Sequence, residues 1–555
     1  MSYQNFSKYF KDTNFLFFIV SLALSLYVRL RLLDIPFERD EGEYAYAGQS
    51  ILNGMLPYRD FYNMKTPNAY FAFALIIKYL GHSAIAIRWA TIGVNLANAF
   101  LVYKIAQTRL RANESIIALS VYLLLSLTYE AQGWVSNSEH FVLLPALLGI
   151  YALSLFENAN NLKQYFLLFL SGIALTTALL TKQHALGFLL FAGLWIGFMS
   201  WENAKKTHLG NFDLFKMVII RYLFFGIGCL LPVLALGVYL YKNNLFEPFY
   251  FLTFKYASAY VSIVSPPLKY ISNFRPIFAN SMVHWIAFFA VIRVLSFSKW
   301  LGKVSSDLEE ARHLRVYLLL FIACSFACVC PGLYFRPHYF QLMFPASALL
   351  IALGIARCTD FWVKTSQKWQ LTPAKLQGLA LLAFIIAQFG YLFFWTPNKI
   401  ILDMYGGDAC KEMRDIGITL GQLTKPTDKI GILGGEPEIW FYANRTAAAG
   451  FLYHDPLVEH QKYAIEMSNQ YIQEMEKARP EIFIYSTQIF HPKHNLLRSN
   501  YLKQWKFQFC RDYELIGKAY KDQNESQSPV DLRWKHLNQD LSSDSLMIAE
   551  IFKRK

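Results

Sequence analysis

The chain has 555 residues, of which 55% are hydrophobic and 17% aromatic against only 17% charged, a balance that excludes an ordinary soluble globular protein. Its 53 Lys and Arg against 39 Asp and Glu give a formal charge of +14. In a soluble protein that excess would raise nucleic acid as a partner; here the bases fall in loops between apolar segments, so no nucleic acid is expected. The seven cysteines form no CxxC and no Cys/His cluster at zinc spacing, which suggests neither a metal module nor a redox motif.

A short polar start with Lys8 and Lys11 precedes the apolar run Phe15 to Leu33, long enough to cross the hydrocarbon of a bilayer. No small-residue cleavage site follows, so the run reads as a signal anchor that stays. Further spans are expected at roughly 84–106, 115–131, 140–156, 165–181, 185–200, 217–241, 279–297, 315–332, 338–357 and 376–395, about eleven in all. The run Ala69 to Leu80 is too short to cross; bounded by Pro67 and Gly81, it reads as a juxtamembrane helix lying in the interface, or as a re-entrant piece.

Threading these spans from an inside N-terminus puts Arg109, Arg111, Lys163, Lys205, Lys206, Lys216, Lys299, Lys303, Arg312, Arg315, Lys364, Lys368 and Lys375 in cytoplasmic loops, a consistent positive-inside pattern. The loop 35–83, the loop 242–278 and everything after Trp395 then lie outside, which for a bacterial inner membrane is the periplasm. The expected architecture is a polytopic α-helical membrane protein: a transmembrane domain over 1–396 with an outside loop at 35–83, and a small periplasmic α/β domain over 397–555. That last domain is read from apolar runs at Lys429 to Leu433, Glu481 to Tyr485 and Leu546 to Ile551 among helical patterns such as Leu457 to Lys477. Its GGEPE turn lacks the spacing of a dinucleotide fingerprint. Cys410 and Cys510 lie outside, where a disulfide is permitted by compartment but not demanded by sequence.

Phe37 to Tyr70 concentrates the polar chemistry, with Asp40, Glu41, Glu43, Asp60 and Lys65 within about thirty residues. Asp40 heads a helical pattern, and a carboxylate at a helix start is favoured as the anion a general base must be. Asp40 with Glu43 three residues on is equally an Asp-led capping box, and the residues alone leave both readings open. Glu41 is either a second carboxylate near an acceptor or a solvated first-turn acid. Lys65, just before the interfacial helix, is placed for a phosphate, or is simply a lysine snorkelling at the membrane edge. Arg88, Lys182 with Gln183 and His184, and Arg336 with His338 and Tyr339 fall near outer span ends, and several cations at one face suit a phosphate-lipid headgroup. Asn137, Glu139 and His140 also cluster at an outer end, where loop polarity accounts for them. No GxSxG, HExxH or P-loop is present, which weakens hydrolase, metalloprotease and NTPase readings.

The run RDEGEYAYAGQSILNGMLPYRDFYNMKTPNAYFAFALI, followed by AIAIRWATIGVNLANAFLVYKIA and, more thinly, by SNSEHFVLLP, TKQHA, FRPHYFQLMFPA and ILGGEPEIWFYANR, resembles the C-type (GT-C) membrane glycosyltransferases. The closer match is the protein O-mannosyltransferase and aminoarabinose transferase-like superfamily. The resemblance implies transfer of a sugar from a polyprenyl-phosphate-linked donor to an acceptor hydroxyl or phosphate of a protein, lipid A or surface polysaccharide outside the membrane; because such a donor carries its own phosphate leaving group, one carboxylate base opposite it could suffice, and inversion is expected. It implies Asp40 as the base and Lys65 at the lipid phosphate; the outer-face cations Arg88, Lys182 or Arg336 are expected to support the leaving group beside Lys65. The chain departs from the aminoarabinose transferases at Met64, where a glutamate helps hold a metal, and at Thr66, where a proline is usual. No cofactor is expected, and the case for a divalent metal is weak. The rival readings are a transporter or flippase of a lipid-linked glycan and a non-catalytic membrane receptor; the polar residues gather in one outside loop, which disfavours the first.

Overall fold

A computed structural model describes residues 12–207, 210–262, 308–365, 373–405, 409–487, 495–522 and 545–555. The expected span 279–297 and the bases Lys299, Lys303 and Lys368 lie outside the described residues. The chain divides into two compact units: Met1–Leu33, Trp89–Val238 and Ser265–Phe394 form the first, and Asp34–Arg88, Tyr239–Val264 and Trp395–Lys555 the second. The polar loop therefore belongs to the same unit as the C-terminal α/β segment.

Among the described residues, seven helices are long and apolar enough to cross a membrane: Thr13–Arg31, Ala84–Gln107, Ser138–Leu155, Leu162–Thr181, Gln183–Thr207, Asn211–Lys242 and Pro337–Ala356. Three other expected spans fold differently. The stretch 115–131 yields only Ala112–Leu125, which stops where Ser126 turns the chain, and 376–395 yields Pro373–Ala387 followed by a wider helical turn at Gly390–Phe394. The stretch 315–332 begins inside Leu308–Ala327, whose first turn carries Glu309 and Glu310, and its last five residues lie beyond that helix. In the first unit Arg29 is buried, and its guanidinium donates to the carbonyls of Gly133 and Ser126 at 2.7 and 3.0 Å. The apolar helix Thr13–Arg31 is thereby tied to the turn that follows Ala112–Leu125 and to Gly133 beyond it.

In the second unit, helix α1 (Arg39–Leu52) packs against helix α2 (Asn68–Leu80). Two glycines of α1 allow close approach: a Cβ on Gly48 would stand 2.8 Å from the Ala74 nitrogen, and one on Gly42 2.6 Å from the Glu438 Cβ. Helix α2 begins directly after Pro67, as the sequence predicts, and ends at Gly81, whose φ of 104° turns the chain out of the helix. The next helix, α3 (Ala84–Gln107), contributes Arg88 from its first turns.

The C-terminal part is a five-stranded sheet of β1 (Lys429–Leu433), β2 (Thr446–Ala447), β3 (Ile482–Ser486), β4 (Tyr513–Asp522) and β5 (Ser545–Arg554), in the order β2-β1-β3-β5-β4. Strands β1, β2 and β3 run parallel; β5 joins β3 antiparallel and pairs antiparallel with β4. The near-continuous apolar runs of β1 and β3 follow from their central, doubly covered places. Between the strands lie helix α4 (Glu438–Ala443), which packs on α1, and helix α5 (Ala464–Ala478). The predicted helix 457–477 is split, with a short turn at Asp455–Val458 preceding α5. Cys410 and Cys510 are free thiols, and burial pushes Cys510 up to about 12.

Candidate active site

The first turn of α1 decides the site. The N-cap is Glu38, whose carboxylate accepts from the Glu41 amide at 3.1 Å while Glu41 Oε2 accepts from the Glu38 amide at 3.3 Å. The capping box is thus Glu38/Glu41, two residues earlier than the Asp40/Glu43 box that the sequence allows. Asp40 sits inside the first turn, and its carboxylate is not the cap.

Asp40, Glu43 and Lys65 come together. Lys65 Nζ is 2.6 Å from Glu43 Oε2 and 3.3 Å from Asp40 Oδ1, and it lies over the Tyr44 ring at 4.4 Å. The Glu43 side chain is fully buried, whereas those of Asp40 and Lys65 are 26% and 17% exposed. Tyr70 from α2 donates to Glu43 Oε1 at 2.9 Å. Tyr453 donates to Glu43 Oε2 at 2.7 Å and lies 3.2 Å from Asp40 Oδ1. Burial works against the Lys65 ammonium, but the Asp40 and Glu43 carboxylates outweigh it and hold Lys65 well above the usual lysine range. The Tyr453 hydroxyl is pushed well up by burial and then by Glu43 and Asp40, so it remains a donor.

The loop before α2 fixes Lys65. Tyr58, in the left-handed region at φ 70°, donates from its hydroxyl to the Lys65 carbonyl at 3.0 Å, and the Lys65 amide donates to Asn63 Oδ1 at 3.1 Å. Tyr62 bonds Gly450 through its amide and Glu474 through its hydroxyl, at 2.7 and 2.6 Å, fastening the loop to the C-terminal segment. Arg39 fastens α1 to it, donating to the Gly435 carbonyl at 2.7 Å and pairing with Asp455 at 2.9 Å.

Glu41 and Arg88, both singled out by sequence, form a buried ion pair at 2.7 Å with side chains 1% and 3% exposed. Neither is open to a ligand, so this placement lends no support to Glu41 as a second catalytic carboxylate or to Arg88 as a phosphate ligand. Lys182, Arg336, His338 and Tyr339 belong to the first unit. There Lys182 is ion-paired with the fully buried Glu139 and lies over the Tyr339 ring at 4.7 Å, His184 meets the same ring at 4.3 Å, and His338 is buried. Arg336 is exposed, 5.7 Å from the Tyr334 ring. The acid that sequence attributed to loop polarity, Glu139, is the buried centre of this cluster. Among described residues, Glu202, Glu309 and His313 of the first unit could converge on a metal, but Arg312 and Lys206 already pair with those carboxylates. Tyr453 and Tyr70 escaped the sequence reading: nothing in a lone tyrosine some 400 residues from Asp40 signals a shared bond.

No protein-family model and no curated protein matches the chain. Solved structures do. ArnT from Cupriavidus metallidurans bound to undecaprenyl phosphate aligns at TM-score 0.54 and 12% identity, over 96% of this chain and 97% of that one. An archaeal oligosaccharyltransferase, AglB from Archaeoglobus fulgidus in complex with an inhibitory peptide and a dolichol-phosphate, aligns at 0.52 and 11%, over 97% of this chain and 76% of that one. The chain shares its fold with these two structures over nearly its whole length. At these identities the likeness is one of fold, and the chemistry of the acid cluster on α1 is argued from this chain's own residues.

Proposed function

We propose that the chain is a membrane glycosyltransferase that takes a sugar from a polyprenyl-phosphate-linked donor, outside the membrane, and passes it with inversion to an acceptor hydroxyl on a protein, lipid A or surface polysaccharide. The observation that carries the reading is Asp40: a first-turn carboxylate that is not the cap, is partly exposed, and lies beside a lysine, in a chain that shares its fold with ArnT. Two relatives in fold hold polyprenyl phosphates.

In this reading Asp40 takes the proton of the acceptor hydroxyl as its oxygen forms a bond to the anomeric carbon, and the bond from that carbon to the phosphate oxygen breaks with its electron pair leaving on the lipid phosphate. A phosphate leaving group needs no strong general acid. Lys65, charged throughout the neutral range, offsets the charge developing on that phosphate. Glu43 holds Lys65 in place from the buried side, and Glu41 with Arg88 anchors α1.

Asp40→Asn keeps size and helix geometry and removes the base. Mass spectrometry of glycolipids and surface glycans from cells carrying wild type or Asp40→Asn tests the reading. Loss of one modification with accumulation of its polyprenyl-linked sugar supports transfer and identifies the acceptor. Matching profiles, in cells where deleting the whole protein does alter them, would overturn it in favour of a transporter or receptor.

A further inference from the structure

Two donors, the Lys65 ammonium and the Tyr453 hydroxyl, bridge the same pair of oxygens, Glu43 Oε2 and Asp40 Oδ1. Glu43 is fully buried and accepts Tyr70 on its other oxygen. A buried carboxylate keeps whatever donors it has, because an unmatched one costs far more than the bond is worth. If Lys65 were the sole donor to Oε2, Glu43 would hold it, and little of its charge would be left for a ligand. Tyr453 meets part of that demand from a segment far away in the chain.

We propose that Tyr453 is a positioning residue that shares Glu43 with Lys65, so that the Lys65 ammonium is available to a lipid phosphate arriving beside Asp40. The inference rests on the reading of Lys65 as the phosphate ligand, and it makes the C-terminal segment part of the binding machinery. Tyr453 is itself held by its neighbours: its hydroxyl lies 3.3 Å from the Arg39 carbonyl, and the Arg39 guanidinium, paired with Asp455, sits 5.2 Å from its ring. The hydroxyl is therefore presented by a fixed framework and does not depend on ligand to order it.

The probe is undecaprenyl phosphate, titrated into the full-length purified protein in detergent and read by native mass spectrometry. Wild type should bind, and Lys65→Met should lose most of the affinity. Tyr453→Phe should weaken binding about ten- to one-hundred-fold, the range of one charge-assisted hydrogen bond. Tyr513→Phe, which removes a buried tyrosine hydroxyl bond of similar length to the Pro480 carbonyl within the C-terminal sheet, at 2.9 Å and with no part in holding Lys65, should leave it unchanged. The double variant Tyr453→Phe/Glu43→Gln should recover to within about three-fold of wild type, because a neutral amide at position 43 no longer captures Lys65.

If Lys65→Met binds as well as wild type, the phosphate role of Lys65 falls, and the positioning role of Tyr453 falls with it. If Lys65→Met loses affinity but Tyr453→Phe does not, the role of Tyr453 is overturned while the reading of Lys65 stands. Equal weakening by Tyr453→Phe and Tyr513→Phe, or a double variant as weak as Tyr453→Phe alone, would overturn it in the same way, since either marks a merely structural tyrosine.

Discussion

Arg88 Nη2 stands 2.7 Å from Glu41 Oε2, with both side chains almost wholly removed from solvent. A pair buried this deeply gains little net stability over an apolar pair of the same volume, but either member alone is a buried, uncompensated charge. Arg88→Met or Glu41→Leu should each cost about 3–5 kcal/mol and sharply lower the yield of monodisperse protein, whereas the double replacement should recover most of that loss. Thermal unfolding midpoints of the detergent-purified variants check this. A double variant no better than the singles would mean that one of the two residues has a separate partner that matters more.

Asp40 and Glu43 lie one turn apart and share Lys65, yet their exposure separates their roles. Asp40→Asn should leave the unfolding midpoint nearly unchanged and lower transfer by about 10²- to 10⁴-fold, the usual contribution of a general base. Glu43→Ala strands the donors of Lys65, Tyr70 and Tyr453, and should lower stability by about 3–5 kcal/mol before any effect on turnover is measurable. Measuring both quantities on both variants decides; if the pattern is reversed, the base is Glu43.

Glu38 gives the fold a pH signature. Burial, and then the neighbouring Asp40 and Glu41, raise its carboxyl well above the ordinary 4.5. A folded-state value raised above the unfolded one means that the contribution to stability is complete below about pH 4.5 and is lost as pH rises through the folded value, at about 1.4 kcal/mol per pH unit while only the unfolded chain ionises. Glu38→Gln keeps the cap acceptor and removes the charge. Its midpoint should exceed that of wild type at pH 7–8, and the difference should shrink as pH falls toward 4.5. A difference independent of pH would show that Glu38 does not titrate in this way.

Gly42 sets two effects against each other. Alanine in a helix interior is worth up to about 1 kcal/mol over glycine, but here its Cβ would stand 2.6 Å from the Glu438 Cβ and 2.7 Å from the Glu438 backbone nitrogen. Backbone cannot move aside as a flexible side chain can, so overpacking of about 1–3 kcal/mol should win. Gly42→Ala should lower the unfolding midpoint, and a raised midpoint would show that α4 can retreat from α1 at little cost.

The sequence by itself determined most of the covalently local features, since these depend on composition and period alone. Seven of the expected spans are helices long enough to cross a membrane, α2 begins after Pro67 and ends at Gly81, and β1, β3 and β5 fall on the apolar runs read as strands. It also located the acid-rich loop and the pair Asp40 and Lys65. What it left open was register and partnership. The segment FERDEGE offers two acid pairs at capping-box spacing, and helix propensity does not distinguish them. The choice falls to Glu38/Glu41 in a fold where Arg88 holds Glu41 while Lys65 and Tyr453 hold Asp40 and Glu43. These bonds join residues 22 to 413 positions apart. No periodicity encodes such pairings, because a charge buried by folding must be matched by whichever donor the tertiary structure brings to it, and only that structure made Tyr453 the neighbour of Asp40.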